Sequence, residues 1–526
     1  MRTALLMLIA ATALPAQVTY ERILNAGEEP HNWLTYSGNY SSHRHSSLDQ
    51  INRESVGDLN VLWTHQIEAL HKFETSPIVV DGIMFITEPP SDVTALDART
   101  GRTLWAYKHQ MPNDVPVCCG QVNRGVAVLG DTVYIGTLDA RLIALDAKSG
   151  FVRWNIEVTD YKIGQSLTGA PLALDGKVIV GMAGGEFGVR GFLDAYDAET
   201  GERLWRFWTV PGPGEPGNET WAGDSWKHGS ATTWVTGSYD PELNLIYWGT
   251  GNPGPDWNGD VRAGDNLYSD SLIAVDADTG ELEWYFQFTP HDVHDWDATE
   301  VPVLIDGIVY GRERKLVLFA NRNGFYYVLD RSSGEFLVGK AYVKQTWAEA
   351  LDDSGRPIRI PNMSPTLEGI KVYPSVFGAT NWYSPSYSPT DHLFYVTATE
   401  GGHIFLKGEA VYEAGSRYAA GGFHNIPGEE TLSAVRAFEP ETGQLKWEFP
   451  LHQRAFGGLL STAGGLVFGS SAEGDIFALN SSDGTPLWNF RSGGRMYSNP
   501  ISYSVDGQQH VAFAAGHAIF VFSLDE

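Results

Sequence analysis

Short runs in which apolar and polar residues alternate recur throughout the chain, and no long window carries the one-sided apolar stripe of an amphipathic helix. Runs such as Lys177-Val178-Ile179-Val180-Gly181 and Leu466-Val467-Phe468-Gly469 predict strands. Between them one pattern repeats, Ala-x-Asp-Ala-x-Thr/Ser-Gly-x-x-x-Trp. It stands at Ala95 to Trp105, Ala144 to Trp154, Ala195 to Trp205 and Ala274 to Trp284. Worn copies follow at Val328 to Val338, Ala437 to Trp447 and Ala478 to Trp488, and a partial copy at Val56 to Trp63 keeps only the terminal Trp. Each copy reads as strand, tight turn, strand. The Asp and Thr supply side-chain acceptors for the turn, the Gly a positive φ, and the Trp a large apolar face to pack between neighbouring units.

The spacing between successive Trps is roughly 40–50 residues with about four strands per copy, the period of a propeller blade. Eight copies predict an all-β, eight-bladed β-propeller with Trp-docking repeats. The last run, Ala518 to Phe522, is expected to close the ring against Val61-Leu62-Trp63. The long gaps from 205 to 284 and from 338 to 447 exceed a turn and predict excursions over one face, where such folds place function. No linker or low-complexity stretch divides the chain, so residues 17–526 read as one domain.

Composition narrows this picture. Of 526 residues 43% are hydrophobic and 19% charged, which is globular, while 58 Gly and 27 Pro agree with many turns. With 36 basic against 64 acidic side chains the formal net charge is −28, which makes nucleic acid and anionic membrane poor partners and a basic protein a good one. Residues 1–16, with one Arg, an apolar run and small residues near Ala13 and Ala16, read as a signal peptide that directs the protein to the periplasm. No second apolar stretch is long enough to span a membrane. The only two cysteines, Cys118 and Cys119, are adjacent, and no CxxCH offers covalent haem attachment. By themselves they read either as two buried thiols or as a small disulfide ring.

The densest candidate chemistry is Thr289-Pro290-His291-Asp292-Val293-His294-Asp295-Trp296-Asp297, directly after a strand-like run. In extended backbone Asp295 and Asp297 share a face roughly 6–7 Å apart at Cα, close enough to bind one hard cation together. An acidic surface loop is the plainer reading of the same residues. The histidines lack the cysteine or further histidine support of a transition-metal site.

The Trp repeat and the paired cysteines resemble the pyrroloquinoline quinone (PQQ)-dependent alcohol dehydrogenases, including the methanol dehydrogenase large subunit. The resemblance covers nearly the whole chain after residue 16. It runs from Asn32-Trp33-Leu34-Thr35-Tyr36-Ser37-Gly38 and the stretch 48–52 through 118–125 (CCGQVNRG), 184–191 (GGEFGVRG), 249–255 (GTGNPGP), 289–297 and 321–331 (NRNGFYYVLDR). It implies a Cys118–Cys119 ring packed on one face of the quinone and Trp234 on the other. Arg124 is then the carboxylate clamp, with Glu74, Thr168, Thr232, Arg322 and Asn381 as further polar contacts and Gly184 and Gly185 as backbone donors. Glu186, Asn252 and Asp295 match the metal ligands, all hard oxygen donors suited to calcium or a lanthanide. Asp297 stands where lanthanide-dependent members carry a second Asp and calcium-dependent ones a small residue, so La³⁺ or Ce³⁺ is favoured over Ca²⁺. Asp295 is implied as general base on the alcohol hydroxyl while hydride moves to C5 of PQQ, with Arg322 beside both.

The expected activity is oxidation of a small alcohol to an aldehyde, with electrons passed to a separate soluble cytochrome c; a homodimer is left open. Phe456 replaces the Trp usual before Gly457-Gly458, and Val293-His294 replaces a Glu-Trp pair of calcium-type methanol dehydrogenases, so methanol is not the expected substrate. Two other readings use the same repeat: a calcium-dependent PQQ sugar or polyol dehydrogenase, and a non-catalytic scaffold propeller. The scaffold has no use for Cys118, Cys119, Glu186, Asn252 and Asp295 together.

Overall fold

The computed structural model describes residues 17–525; the signal-peptide reading of 1–16 lies outside the described residues. Among the described residues the one α-helix is Tyr20–Leu24, and almost all other regular structure is strand. Seven four-stranded sheets and one five-stranded sheet account for most of it, along with a two-stranded and a three-stranded sheet. Six of the four-stranded sheets follow chain order, as the antiparallel meander of residues 78–107 does. The remaining one joins the two ends of the chain. Asn60–Gln66 lies antiparallel to Ala518–Ser523, with Val61 opposite Phe522 and Trp63 opposite Val521.

In the six four-stranded sheets that follow chain order the repeat motif occupies the third strand, the turn and the fourth strand, and its residue types follow from three contacts. The leading Ala faces the terminal Trp across the two strands (Ala95–Trp105, Ala144–Trp154, Ala195–Trp205), so a small side chain opposes a large one. The motif Asp accepts backbone N–H groups inside the turn, as Asp97 Oδ1 does from Arg99 and Thr100 at 3.0 and 3.1 Å. The Trp then lies over the turn glycine of the next sheet and donates its indole N–H to a carbonyl beside it. Trp63 donates to Ala98 (3.2 Å), Trp105 to Ala147 (3.0 Å), Trp154 to Ala198 (3.3 Å), Trp205 to Ala277 (3.2 Å) and Trp284 to Arg331 (3.1 Å). A Cβ on Gly150, which has φ +73°, would stand 2.6 Å from the Trp105 ring, so both backbone angle and contact demand glycine. Where the fifth copy ends in Val338, Tyr326 takes over. Its ring lies 2.8 Å from a Cβ built on Gly443, and its hydroxyl donates to Pro440 O at 2.7 Å.

Burial grades across each sheet. In the sheet of residues 127–157 the first and second strands are wholly buried and the third, Arg141–Asp146, is buried through its centre, while Val152–Glu157 alternates between exposed and half-buried. The sheets therefore pack face to face, with apolar layers between them and their fourth strands outward.

The long gaps in the repeat become irregular segments. Residues 209–237 and 250–270 carry short 3₁₀ turns, and 342–431 includes the hairpin of Ala348–Leu351 with Pro357–Arg359. Buried Arg262 ties the second segment to the acidic stretch. Its guanidinium donates to Pro255 O, to Asn266 Oδ1 (2.9 Å) and to Asp292 O (2.6 Å).

Candidate active site

A cavity of about 410 Å³ collects every residue singled out from the sequence as cofactor-binding, metal-binding or catalytic. None of them lies in a strand: they stand on the segments that lead into or link the strands of different sheets, so only the assembled fold brings them together. The volume lies within the range of ordinary small-molecule sites.

One wall is sulfur and one is aromatic. Cys118 and Cys119 are bonded to each other, which decides between the two readings their adjacency allowed. Cys119 Sγ lies 3.5 Å from Glu186 Oε1; as a disulfide, the pair is no thiolate ligand for a cation. Trp234 is fixed through its indole N–H, which donates to Asp297 Oδ2 at 2.6 Å. The Arg124 guanidinium stacks 4.8 Å from the Trp234 ring centroid and 5.7 Å from that of Trp382. Arg124 also pairs with buried Glu74 at 2.7 Å and donates to Thr168 Oγ1 at 3.0 Å. Burial nonetheless pushes the Glu74 carboxyl above its usual range, against the pull of Arg124.

The other end is acidic. The stretch 289–297 is no surface loop: Asp292, His294 and Asp297 are 1%, 1% and 5% exposed. Asp292 shapes its turn by accepting the backbone N–H groups of His294 and Trp296, each at 3.0 Å. His294 gives no ligand. It is stacked on Trp296 and bonded to Met363 O, and burial depresses its imidazole to about 3. Asp295 sits at φ +64°, a left-handed conformation uncommon outside glycine and concentrated at functional sites. Asp297 Oδ1 accepts the Asn252 backbone N–H at 3.0 Å. Arg322 lies between the two acids, 3.8 Å from Asp295 Oδ2 and 3.5 Å from Asp297 Oδ2, and donates to Val376 O at 2.7 Å.

The short turn Gly185–Phe187 carries Glu186, and Tyr418 N donates to Glu186 O at 2.7 Å. A Cβ on Gly184 would fall 2.1 Å from Gly164 O, and its φ is +115°, so this approach admits only glycine. Gly185 lies against Thr232 and Asn252. Asn381 spends its amide on a local turn, donating to Phe377 O at 3.0 Å.

Several lining residues were not anticipated: Lys72, Asp256, Trp257, Trp382, Arg417 and Arg454. Asp256 matters most. It is buried, and its Oδ1 accepts the Asn252 side-chain N–H at 3.0 Å, which leaves the Asn252 carbonyl oxygen as the free donor atom. Its other oxygen has no hydrogen-bond partner. The spacing Asn252-x-x-x-Asp256 was visible in the sequence, but nothing in it announces a fourth acid. Burial first and neighbouring Glu186 next raise Asp256 to about 8. Burial likewise raises Glu186 and Asp295, with Asp297 adding to both. Buried carboxylates that lift one another's pKa are deficient in positive charge, and their donors are all hard oxygens. The set fits a calcium-like or lanthanide ion. Arg124 Nε and Trp382 Nε1 at the other end, and Arg322 Nε beside the acids, are buried donors without acceptors, which fits a polyanionic aromatic ligand.

Residues 33–345 match the family model described as a glucose/ethanol/alcohol dehydrogenase beta-propeller domain, and 432–523 match one described as outer membrane protein assembly factor BamB. The quinoprotein alcohol dehydrogenase PedH of Pseudomonas putida is 38% identical over 97% of this chain and 90% of its own. The quinohemoprotein alcohol dehydrogenase of Comamonas testosteroni is 37% identical over 94% of this chain and 73% of its own. Among solved structures, a europium-containing methanol dehydrogenase matches with a TM-score of 0.90 and 31% identity, over 96% of this chain and 100% of that one. Quinohemoprotein ADHIIG of Pseudomonas putida HK5 matches at 0.93 and 36%, over 98% and 83%. The all-β repeat and its cavity define a quinone-dependent oxidoreductase. The chain belongs to the PQQ-dependent alcohol dehydrogenases.

Proposed function

We propose that this enzyme oxidises an alcohol to an aldehyde with PQQ and a lanthanide ion, in a single domain of residues 17–526 built as a closed eight-bladed propeller. The observation that carries the reading is the convergence of Glu186, Asn252, Asp256, Asp295 and Asp297 at one end of a cavity walled by the Cys118–Cys119 disulfide and Trp234. PQQ would lie between that disulfide and Trp234, held by Arg124, Glu74, Thr168, Thr232, Asn381, Arg322 and the backbone of Gly184 and Gly185. Glu186, Asn252, Asp295 and Asp297 would hold the cation. When bound, the quinone supplies a two-electron acceptor and the cation a Lewis acid.

The chain's own residues do the rest. Asp295 accepts the proton of the substrate hydroxyl; Arg322 beside it favours its carboxylate form, and a bound cation would add to that effect. Asp297 serves twice, since it also fixes Trp234 and the Asn252 backbone. A trivalent ion is supported over calcium by the number of carboxylates drawn together, a repulsion that three positive charges relieve better than two. The europium content of a structural neighbour over nearly the whole chain points the same way.

The protein is exported to the periplasm under this reading and hands electrons to a soluble c-type cytochrome, for which the formal charge of −28 supports a basic docking face. Among the described residues no helix is long and apolar enough to cross a membrane. The test is reconstitution of the apoprotein. PQQ with La³⁺ or Ce³⁺ is expected to restore alcohol oxidation, and PQQ with Ca²⁺ far less. Equal or greater activity with Ca²⁺ overturns the lanthanide assignment, and no activity with any of these ions overturns the reaction.

A further inference from the structure

Arg454 lines the cavity yet takes no part in the contacts described above. Its guanidinium carbon lies 3.3 Å from the Phe377 ring centroid and 4.3 Å from that of Phe456. Among the described residues it has neither an ion pair nor a hydrogen bond, although this chain carries an excess of acidic groups. A second guanidinium shares the same ring. Arg495 stands 5.3 Å from the Phe456 centroid, gives its Nε to Ala472 O at 3.4 Å, and has no carboxylate partner either. Burial first, with the nearby positive charge of Arg495 adding to it, lowers Arg454 to about 10.

Two like charges on one phenyl ring, one of them half-buried and with its planar fork of donors unused, form an arrangement that an anion entering the cavity completes. The cofactor end already has its own cation in Arg124, packed between Glu74 and the Trp234 and Trp382 rings. Arg454 rests instead on Phe377, whose other neighbour Phe423 lines the cavity and is 36% exposed, so this end opens to solvent. The rings around it offer an apolar bed for a short alkyl chain.

We propose that Arg454, seated on Phe377 and Phe456, is a specificity residue that recognises an anionic group on the substrate, so that the preferred alcohols are hydroxy acids rather than neutral alcohols. The proposal rests on the alcohol-oxidising reading above and names its substrate class. Bidentate recognition of a carboxylate by guanidinium requires the planar fork, which lysine supplies only as a point charge.

The test compares 4-hydroxybutyrate with 1-butanol, which share chain length and differ in the carboxylate. In PQQ- and lanthanide-loaded enzyme, kcat/KM is expected to favour 4-hydroxybutyrate. Arg454→Gln is expected to reduce that ratio tenfold or more, and Arg454→Lys to recover part of it. Calorimetric binding of butyrate to the loaded protein, at least tenfold weaker in Arg454→Gln, supplies a readout independent of turnover. A ratio unchanged by Arg454→Gln overturns the proposal, and so does an equal fall for both substrates accompanied by lost PQQ absorbance, which assigns Arg454 to the cofactor. If the wild-type protein oxidises neither compound, the reading of the reaction fails, and butyrate binding alone still decides the subsite.

Discussion

Asp295 and Asp297 are two positions apart and are held in different ways. Asp297 has both oxygens in hydrogen bonds, to Trp234 and to the Asn252 backbone, whereas Asp295 faces the cavity from a left-handed backbone with Arg322 as the one cation beside its carboxylate among the described residues. Asp295→Asn is therefore expected to abolish turnover with every metal, because the proton acceptor is gone even where an ion still binds. Asp297→Ala is expected to lower lanthanide-supported kcat/KM by at least about a hundredfold, since it removes an anionic donor and releases Trp234 at once. Steady-state kinetics with matched PQQ and metal occupancy read both, and circular dichroism checks the fold. An Asp297→Ala enzyme with full lanthanide-dependent turnover would show this carboxylate to be structural only. Most of the cavity was legible at this scale because its residues sit in short motifs that the family resemblance marks. Asp256 was not legible: an Asp four positions after an Asn is common, and only folding buries it against Asn252. Arg454 escaped for a related reason: Phe456 is only two residues on, but Phe377, the ring it lies closest to, comes from a distant part of the chain.

Element-scale order was the more readable part, because the repeat writes its own contacts. The Ala opposite the Trp, the Asp in the turn and the Gly beneath the next Trp are each one residue type required by one contact. Where the copy is worn at Val338, pattern reading cannot find the replacement. Tyr326 comes from the third strand of its sheet rather than the fourth, and reaches Gly443 only through packing. Two glycines separate the docking contribution from simple backbone strain. Gly150 and Gly176 have φ of +73° and +71°, but a Cβ on Gly176 meets nothing within 4 Å, while one on Gly150 strikes the Trp105 ring at 2.6 Å. Gly176→Ala is expected to cost about 1–2 kcal/mol from the left-handed backbone alone. Gly150→Ala is expected to cost about 1–3 kcal/mol more, because Trp105 must shift and weaken its bond to Ala147. Urea denaturation of the two variants side by side measures the difference; equal midpoints would remove Trp docking as a source of stability.

Across the whole molecule, charge is shared unevenly between the site and the rest of the chain. The chain carries a formal charge of −28, whereas Lys72, Arg417 and Arg454 reach the cavity alongside Arg124 and Arg322. The same cavity holds Glu74, Glu186, Asp256, Asp295 and Asp297, so acid and base balance inside it while the chain as a whole is acidic, and a protein partner meets the acidic exterior first. Long-range attraction between the acidic surface and a basic cytochrome c is screened over a Debye length of roughly 30 Å at 0.01 M salt and roughly 8 Å at 0.15 M. The second-order rate at which the substrate-reduced enzyme reduces such a cytochrome is accordingly expected to fall by about tenfold or more across that range. Reduction of a small uncharged dye should change little, because it has no field to follow. Stopped-flow absorbance of the haem, with enzyme reduced beforehand by substrate, separates this step from alcohol oxidation. An acidic cytochrome reduced faster than a basic one at low salt, or a rate that rises with salt, would place electron exit at the basic mouth of the cavity instead. The docking face would then be set by Lys72, Arg417 and Arg495 and not by the net charge of the chain.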